Sequence, residues 1–321
     1  MNIGLTYDLQ TDPSDERQAE FDPPAVIEAL TRALEVPGHR VIPLGAAEAL
    51  LRAPLREIDL VFNLAEGSHG RCREAWTPIL LDLAGVPYVG SDALTLSLGL
   101  DKVLCKRIAL AEGLATPPWI TVEHPAALPR ALPFPFPAIV KPRWEGSGRG
   151  IDAGAVVHDQ RALSARAAWL FERCPEPILI EAFVPGGELT VCLIGNDPPT
   201  AYPAIQRPLD PASGLSCHVV KPAPGRVIAP LTLDDALDAQ ARRIALTMFR
   251  SLGCRDVARV DLRVDASGQP HFLEINPLPS FDPEGSLGLL AEYLGTTYPA
   301  LMTRILDAAL VRHGLAAPAL R

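Results

Sequence analysis

No CxxC pair and no short-range pairing occurs among the six cysteines, at positions 72, 105, 174, 192, 217 and 254. That excludes a zinc ribbon or a disulfide frame and fits reduced thiols in a cytoplasmic protein. No uncharged apolar run approaches the roughly 18 residues that a membrane span needs. The opening MNIGLTYDLQTDPSDER carries acids where a signal peptide would carry Lys or Arg. Excess positive charge is missing too. The formal net charge is -9, which argues against a general binder of nucleic acid or of an anionic membrane. A nucleotide is not excluded, since a local cluster of Lys and Arg suffices for it. No G-x-G-x-x-G follows the first predicted strand, and no repeat of solenoid length is visible. A soluble cytoplasmic globular protein is expected.

What is present can bury a core: 321 residues, 48% of them hydrophobic and 21% charged. The 33 prolines are spread along the chain, and the densest stretch, HPAALPRALPFPFPAIV, runs into an apolar strand, so it reads as an ordered loop and not a linker. Strand and helix signals alternate through residues 1–90. They give a strand over 1–6, an amphipathic helix ending near Gly38, the strand RVIPLG, a helix over 46–53, the strand IDLVFN and a helix stopped by Gly85. This predicts a parallel α/β layer with functional groups at the carboxyl ends of its strands. Those ends carry Tyr7-Asp8, Asn63 and Glu66-Gly67-Ser68-His69-Gly70, where His69 reads as a loop histidine or a catalyst. One helix is expected over 93–113, behind a Ser91 or Asp92 cap, and another behind a Thr232 cap.

VDLRVDASGQPHFLEINP (260–277) reads as a β-hairpin. Val260, Leu262 and Val264 alternate with Arg259, Asp261, Arg263 and Asp265. A four-residue turn, Ala266 to Gln269, leads to a second strand on which Phe272, Glu274 and Asn276 share a face. Pairing 265 with 270 sets Asp261 against Glu274 and Arg259 against Asn276. Opposed carboxylates repel. A divalent cation between them would remove the repulsion, and Asp, Glu and Asn oxygens suit a hard cation such as Mg²⁺. The alternative is a solvated charged face.

IVKPRWEGSGRGI puts Lys141 at the end of an apolar strand, ahead of Gly146-Ser147-Gly148-Arg149-Gly150. Backbone N–H groups of such a loop can wrap phosphate oxygens while the lysine neutralises them. The lysine precedes the glycines, so this is no P-loop, and a flexible hairpin tip is the competing reading. Glu181-Ala182-Phe183-Val184 ends a strand before a tight turn. Such an edge can read adenine through backbone groups, with Glu181 or Glu188 reaching the amino group or the ribose. Lys102 is a second phosphate candidate, or an ordinary solvated helix lysine.

In order, DKVLCKR, TPP, IVKP with EGSGRG, LIEAFVPGGELTV, GCRDVARVDLRVD and FLEINPLP resemble the ATP-grasp superfamily and, within it, the D-alanine–D-alanine ligases. FNLAEG, PYVGSDALTLSLGLDK and the last helix extend the resemblance over nearly the whole chain. It implies an α/β (α+β) ATP-grasp fold: an N-terminal parallel α/β layer over 1–92, a central unit over 93–189 and a C-terminal unit over 190–321 with the Mg²⁺ site. It implies an ATP-dependent carboxylate–amine ligase, working through an acyl phosphate on small amino-acid or peptide-like substrates. The family commonly forms dimers. Lys102 and Lys141 would bind the ATP phosphates, with Gly146, Ser147 and Gly148 in the loop closing over them. Glu181, Ala182 and Val184 would meet the adenine and Glu188 the ribose. Asp261, Glu274 and Asn276 would hold two Mg²⁺ ions, with Mn²⁺ as the alternative ion. The catalytic groups would be Arg259, steadying the acyl phosphate and the tetrahedral intermediate, Ser147 in the closing loop, and Ser280, whose N–H faces the oxyanion.

Departures from the family gather on the amino-acid side. TYDLQTDPSDERQ offers no alignable counterpart of the glutamate that holds the first substrate's amino group there. The family's H-G after the third strand is Glu66-Gly67 here, and its later G-E-D-G is Gly70-Arg71-Cys72-Arg73-Glu74. Gly148 replaces a serine, and Pro279-Ser280 replaces proline-glycine. The Ser-Leu pair that holds the second substrate's carboxylate corresponds to Ser286-Leu287, one residue late, and the tyrosine-bearing loop has no counterpart in LDPASGLSCHVVKPAPG. Substrate contacts are expected from Glu66, Arg259, Ser286 and Leu287. Such changes in a polar pocket imply another substrate. Three readings stand: a ligase of altered specificity, a D-alanine–D-alanine ligase proper, and a nucleotide-binding protein that has lost turnover.

Overall fold

The structure is a computed structural model describing residues 1–216, 229 and 231–316; Cys217 and residues 218–225 of the loop named above lie outside them. β1 (Asn2–Thr6), α1 (Pro24–Glu35), β2 (Arg40–Gly45), β3 (Leu60–Asn63), α2 (Trp76–Ala84) and β4 (Tyr88–Val89) build the N-terminal layer. Its sheet has the order β2-β1-β3-β4 with every pair parallel. Gly85 closes α2 in the left-handed region, as expected of that residue. The helix expected over 46–53 is only a 3-10 turn (Ala47–Leu51).

The single helix expected over 93–113 is two, α3 (Ala93–Leu100) and α4 (Lys102–Ala111). Asp101 divides them. Its carboxylate accepts from the N–H groups of Val103 and Leu104, and also from Arg143 and the Trp144 indole. A short acidic side chain that bonds nearby N–H groups favours a cap over a helix interior. The break starts α4 on Lys102, at the edge of the central cleft.

The second sheet, all antiparallel, has the order β5-β8-β6-β7: β5 (Trp119–Val122), β6 (Ala138–Pro142), β7 (Val156–Val157) and β8 (Ile178–Ala182). α5 (Gln160–Arg173) packs its Leu163, Ala167 and Leu170 against this sheet's own core. The third sheet holds β9 (Glu188–Ile194), β10 (Thr200–Ala201), β11 (Ile205–Arg207), β12 (Val257–Val264) and β13 (Pro270–Asn276), in the order β10-β9-β12-β13 with β11 also against β9. β8 and β9 are thus neighbours in sequence but not in one sheet. The connection turns beneath Val264, where a Cβ on Gly186 would stand 1.8 Å from a carbonyl oxygen. The expected boundary between 189 and 190 falls inside β9.

α6 (Asp235–Leu252) backs the third sheet and is capped by Asp234, not Thr232: the Asp234 carboxylate accepts from Leu237 N at 2.8 Å. α7 (Ser286–Tyr293) and α8 (Tyr298–Arg312) follow, and α8 returns to the N-terminal layer, where Leu301 and Ile305 share a core with Ile3 and Leu30.

The β12–β13 hairpin departs from expectation in an instructive way. Asp265 N donates to Gln269 O, so the turn has three residues between its closing pair, and the register near it is Val264 against Pro270. A bulge at Leu273 then restores the expected pairing of Asp261 with Glu274 and Arg259 with Asn276. The bulge also changes which side chains share a face. Phe272, expected beside Glu274, lies fully buried in the core with Ile275. Burying a phenylalanine is worth roughly 1.5–3 kcal/mol, a gain that strict alternation from Asn276 would have denied.

Candidate active site

A cleft of about 340 Å³ lies between the N-terminal layer and the third sheet, and a smaller cavity of about 110 Å³ joins it beneath the second sheet. Lys102, Glu145, Gly146, Gly148, Glu188, Asp261 and Glu274 border both.

Strand register aligns the centre. Thr190, Asp261 and Glu274 stand in one cross-strand row, and Arg259 and Asn276 in the next. Asp261 accepts from Thr190 Oγ1 at 2.7 Å and from Arg259 Nε at 3.0 Å, while Asn276 Nδ2 lies 3.4 Å away. Lys102 Nζ is 3.7 Å from Glu274 and donates to Glu145 O. Burial opposes ionisation of Glu274, but Lys102, Lys141 and Arg259 outweigh it, so its carboxyl sits below the ordinary range. Among the described residues no three His, Cys, Asp or Glu side chains gather as metal ligands. The centre offers two carboxylates and one amide.

The smaller cavity is walled by Ile139, Ile151, Phe183, Leu215 and Leu273, with Ala182 and Val184 on its edge, an apolar slot for a flat ring. Apart from Phe183, sequence reasoning missed these apolar walls, which look like any core residue until the sheets meet. Lys141 and Glu181 border the slot as well. The Glu181 side chain, however, lies between Lys141 Nζ at 2.6 Å and Lys106 Nζ at 2.8 Å. At the border of the slot, its carboxylate is held by the two lysines. Burial opposes its charge, but Lys106 and Lys141 outweigh this and bring it down to about 2. Lys106, fully buried and bonded also to Thr116 Oγ1 and Pro117 O, was not singled out in the sequence. Glu188 lies 3.5 Å from Arg263.

In the glycine-rich loop, Ser147 and Gly148 both have positive φ, 47° and 73°. A serine in that region is uncommon. Gly146 N donates to Glu20 Oε1 at 2.6 Å, and a Cβ on Gly146 would stand 2.5 Å from that oxygen. Glu20 was not singled out in the sequence. It sits in an acid-rich loop beside Asp12, Asp15 and Glu16, so nothing local distinguishes it, yet it borders the cleft and is gripped by Arg73 at 2.6 Å.

Residues 66–74 form the N-terminal wall. Gly67 N donates to Asp8 Oδ2 at 2.7 Å, and a Cβ on Gly67 would stand 2.7 Å from Arg73 O. The loop therefore folds back on itself and sets Glu66 and Glu74 on one wall. Burial, with Glu20, Glu74 and Asp22 near, lifts the Glu66 carboxyl well above the ordinary range, and burial against the pull of Arg73 lifts Glu74 to about 8. His69 lies outside the cleft wall, against the Trp76 ring and bonded to Ser68 Oγ. Ser280 and Ser286 border the cleft, Ser286 beside Arg207 at 3.4 Å. Leu287 does not: its side chain is 1% exposed in the core, because the turn that starts α7 points it inward.

The D-ala D-ala ligase C-terminus family matches residues 109–307. An uncharacterised protein of Sinorhizobium fredii, y4sG, is 31% identical over 301 residues, 90% of this chain and 88% of that one. A D-alanine–D-alanine ligase of Synechococcus sp. is 34% identical over 300 residues, 89% of this chain and 88% of that one. In fold, the D-alanine–D-alanine ligase from Bacillus anthracis, solved in complex with ATP, matches with a TM-score of 0.76 at 23% identity, over 98% of this chain and 100% of that one. The chain belongs to the D-alanine–D-alanine ligase family of ADP-forming, ATP-grasp ligases.

Proposed function

We propose that this ligase joins an amino acid's carboxylate to an amine with Mg-ATP, on substrates other than two D-alanines. The observation carrying this reading is the alignment of Arg259, Asp261, Glu274 and Asn276 where the apolar slot opens into the cleft. The slot suits an adenine, with Ala182 and Val184 at its edge and Glu188 toward the ribose. Lys102, Lys141 and the N–H groups of Ser147 and Gly148, in the loop that Gly146 anchors to Glu20, would neutralise and hold the phosphates. The donor set fits a hard cation: two carboxylates and an amide supply the oxygens that such an ion prefers. Asp261, Glu274 and Asn276 would hold Mg²⁺, which neutralises charge on the transferring phosphoryl group.

The substrate carboxylate oxygen attacks the γ-phosphorus, ADP leaves, and an acyl phosphate forms. The second substrate's amine nitrogen then attacks the acyl carbon, the tetrahedral oxyanion faces Arg259 and the Ser280 N–H, and phosphate departs as the amide closes. The changed wall, with Glu66 where the family has histidine, supports an altered substrate. A second reading, D-alanine as the natural substrate, draws on Glu20, an acid at the cleft that could hold a first amino group. ADP release with Mg-ATP and paired D- and L-amino acids, with mass detection of products, separates the two. Turnover abolished by Asp261→Asn is expected. Turnover retained in that variant would overturn the assignment of the centre.

A further inference from the structure

The N-terminal wall of the cleft holds more carboxyl groups than the family chemistry requires. Glu74 is 8% exposed and borders the cleft, yet no described residue gives it a hydrogen bond or an ion pair. The side chains of Glu66 and Asp22 border the same space and also lack such partners among the described residues. Arg73, which acts on Glu66 and Glu74, is engaged by Glu20 at 2.6 Å and lies 3.6 Å from Glu145, and Lys102, which also acts on Glu74, donates to Glu145 O and lies 3.7 Å from Glu274. Buried carboxylates are ordinarily paired, because an unpaired charge away from water is strongly unfavourable. Among the described residues no side chain hydrogen-bonds or ion-pairs with these acids, so a ligand is the natural source.

A simple amino acid brings one ammonium, which three unpartnered acids outnumber. Its carboxylate has partners on the opposite side, where Arg207 and Arg259 border the cleft. We propose that this wall binds an amino acid carrying a second ammonium group, a diamino acid, with the extra cation between Glu66 and Glu74. The assignment rests on the ligase reading above for the cleft's use, and it deepens that reading by naming a substrate class. The fold-back of residues 66–74 over Gly67 gives the subsite its form, since it is what puts the two glutamates on one wall. The elevated affinity of Glu66 and Glu74 for protons is what acids waiting for a cation would show.

Calorimetric titration of the full chain, loaded with Mg²⁺ and a non-hydrolysable ATP analogue, tests the proposal. The ligands are 2,3-diaminopropionate, 2,4-diaminobutyrate and ornithine in both hands, each against the neutral isostere that has methyl for ammonium. At least one diamino acid is expected to bind about tenfold or more tightly than its isostere. Glu66→Gln and Glu74→Gln should each erase most of that preference and leave the ATP analogue's affinity unchanged, and Glu74→Asp should keep it. Equal binding of both partners of every pair, binding of none, or a preference untouched in both glutamine variants would overturn the proposal. ADP release is read separately. Release with neutral amino acids alone would leave the ligase reading standing and remove the diamino subsite. Diamino binding without ADP release from any pair would do the reverse.

Discussion

Lys141 Nζ lies 2.6 Å from Glu181 Oε1, and both side chains are more than nine-tenths buried. Lys106 completes the group from α4, so one carboxylate ties two lysines and joins the second sheet to the helix under the third. Glu181→Gln would leave two ammonium groups buried with a neutral partner. Removing one member of a buried ion pair costs about 3–5 kcal/mol, and urea unfolding should show a loss of that size. A loss below about 1 kcal/mol would mean that water reaches the site.

The same carboxylate sets an acid limb. Its pKa is lowered to about 2 in the folded chain from an ordinary 4.5, so its stabilisation is complete above the unfolded value and disappears as the pH falls from 4.5 toward 2. Acid unfolding of the parent should steepen through that window, and the Glu181→Gln variant should lack this component.

Glu74 acts in the opposite direction. Its pKa is raised to about 8, so the folded chain loses stability as the pH rises from 4.5 through 8, where the unfolded chain ionises more readily. Without ligand, Glu74→Gln should therefore be more stable than the parent by about 1–3 kcal/mol at alkaline pH and nearly equal to it near pH 4. Thermal melts across that range read the difference directly.

Arg259 stands beside Asp261 at 2.9 Å. Arg259→Lys keeps a charge but loses the planar fork, and removing such a preorganised donor typically lowers kcat by about 10²–10³. The expected signature is that loss in kcat with the KM for ATP nearly unchanged. A rise in the ATP KM alone would move Arg259 from the reacting atoms to nucleotide binding.

Gly67 has φ +79° and no room for a side chain against Arg73. Gly67→Ala should cost about 1–3 kcal/mol from backbone strain. It should also raise the KM for the amino-acid substrate more than that for ATP, because the loop it holds carries Glu66 and Glu74.

The alternation of apolar and charged residues in 259–265 sufficed to orient β12, and the pairing of Asp261 with Glu274 was legible from it. The register agrees for a reason the sequence did not display: a shorter turn and a bulge at Leu273 offset each other. Asp265 accepts from Ser267, Gln269 and His271, so its side chain tightens the turn, and such local bonding is hard to weigh without the strands in place. Asp101 tells the same story, since its helix-breaking contacts to Arg143 and Trp144 join residues about forty positions apart. Lys106, Glu20 and the aliphatic slot were illegible because each acquires its role only when separate elements meet. The turn of the glycine-rich loop and the pairing of the hairpin acids are set at short range, and both were legible.

β8 and β9 follow one another in the chain yet rest on different hydrophobic cores. Lys141 thus stands on one foundation and Asp261 on another, with residues 183–187 as the only covalent strap between the adjoining strands. A packing defect under either sheet would reach the reaction as a tilt of one wall against the other, long before it deformed either wall. Natural variation buried far from the cleft can therefore retune the spacing between nucleotide and acid while every residue that touches them stays the same.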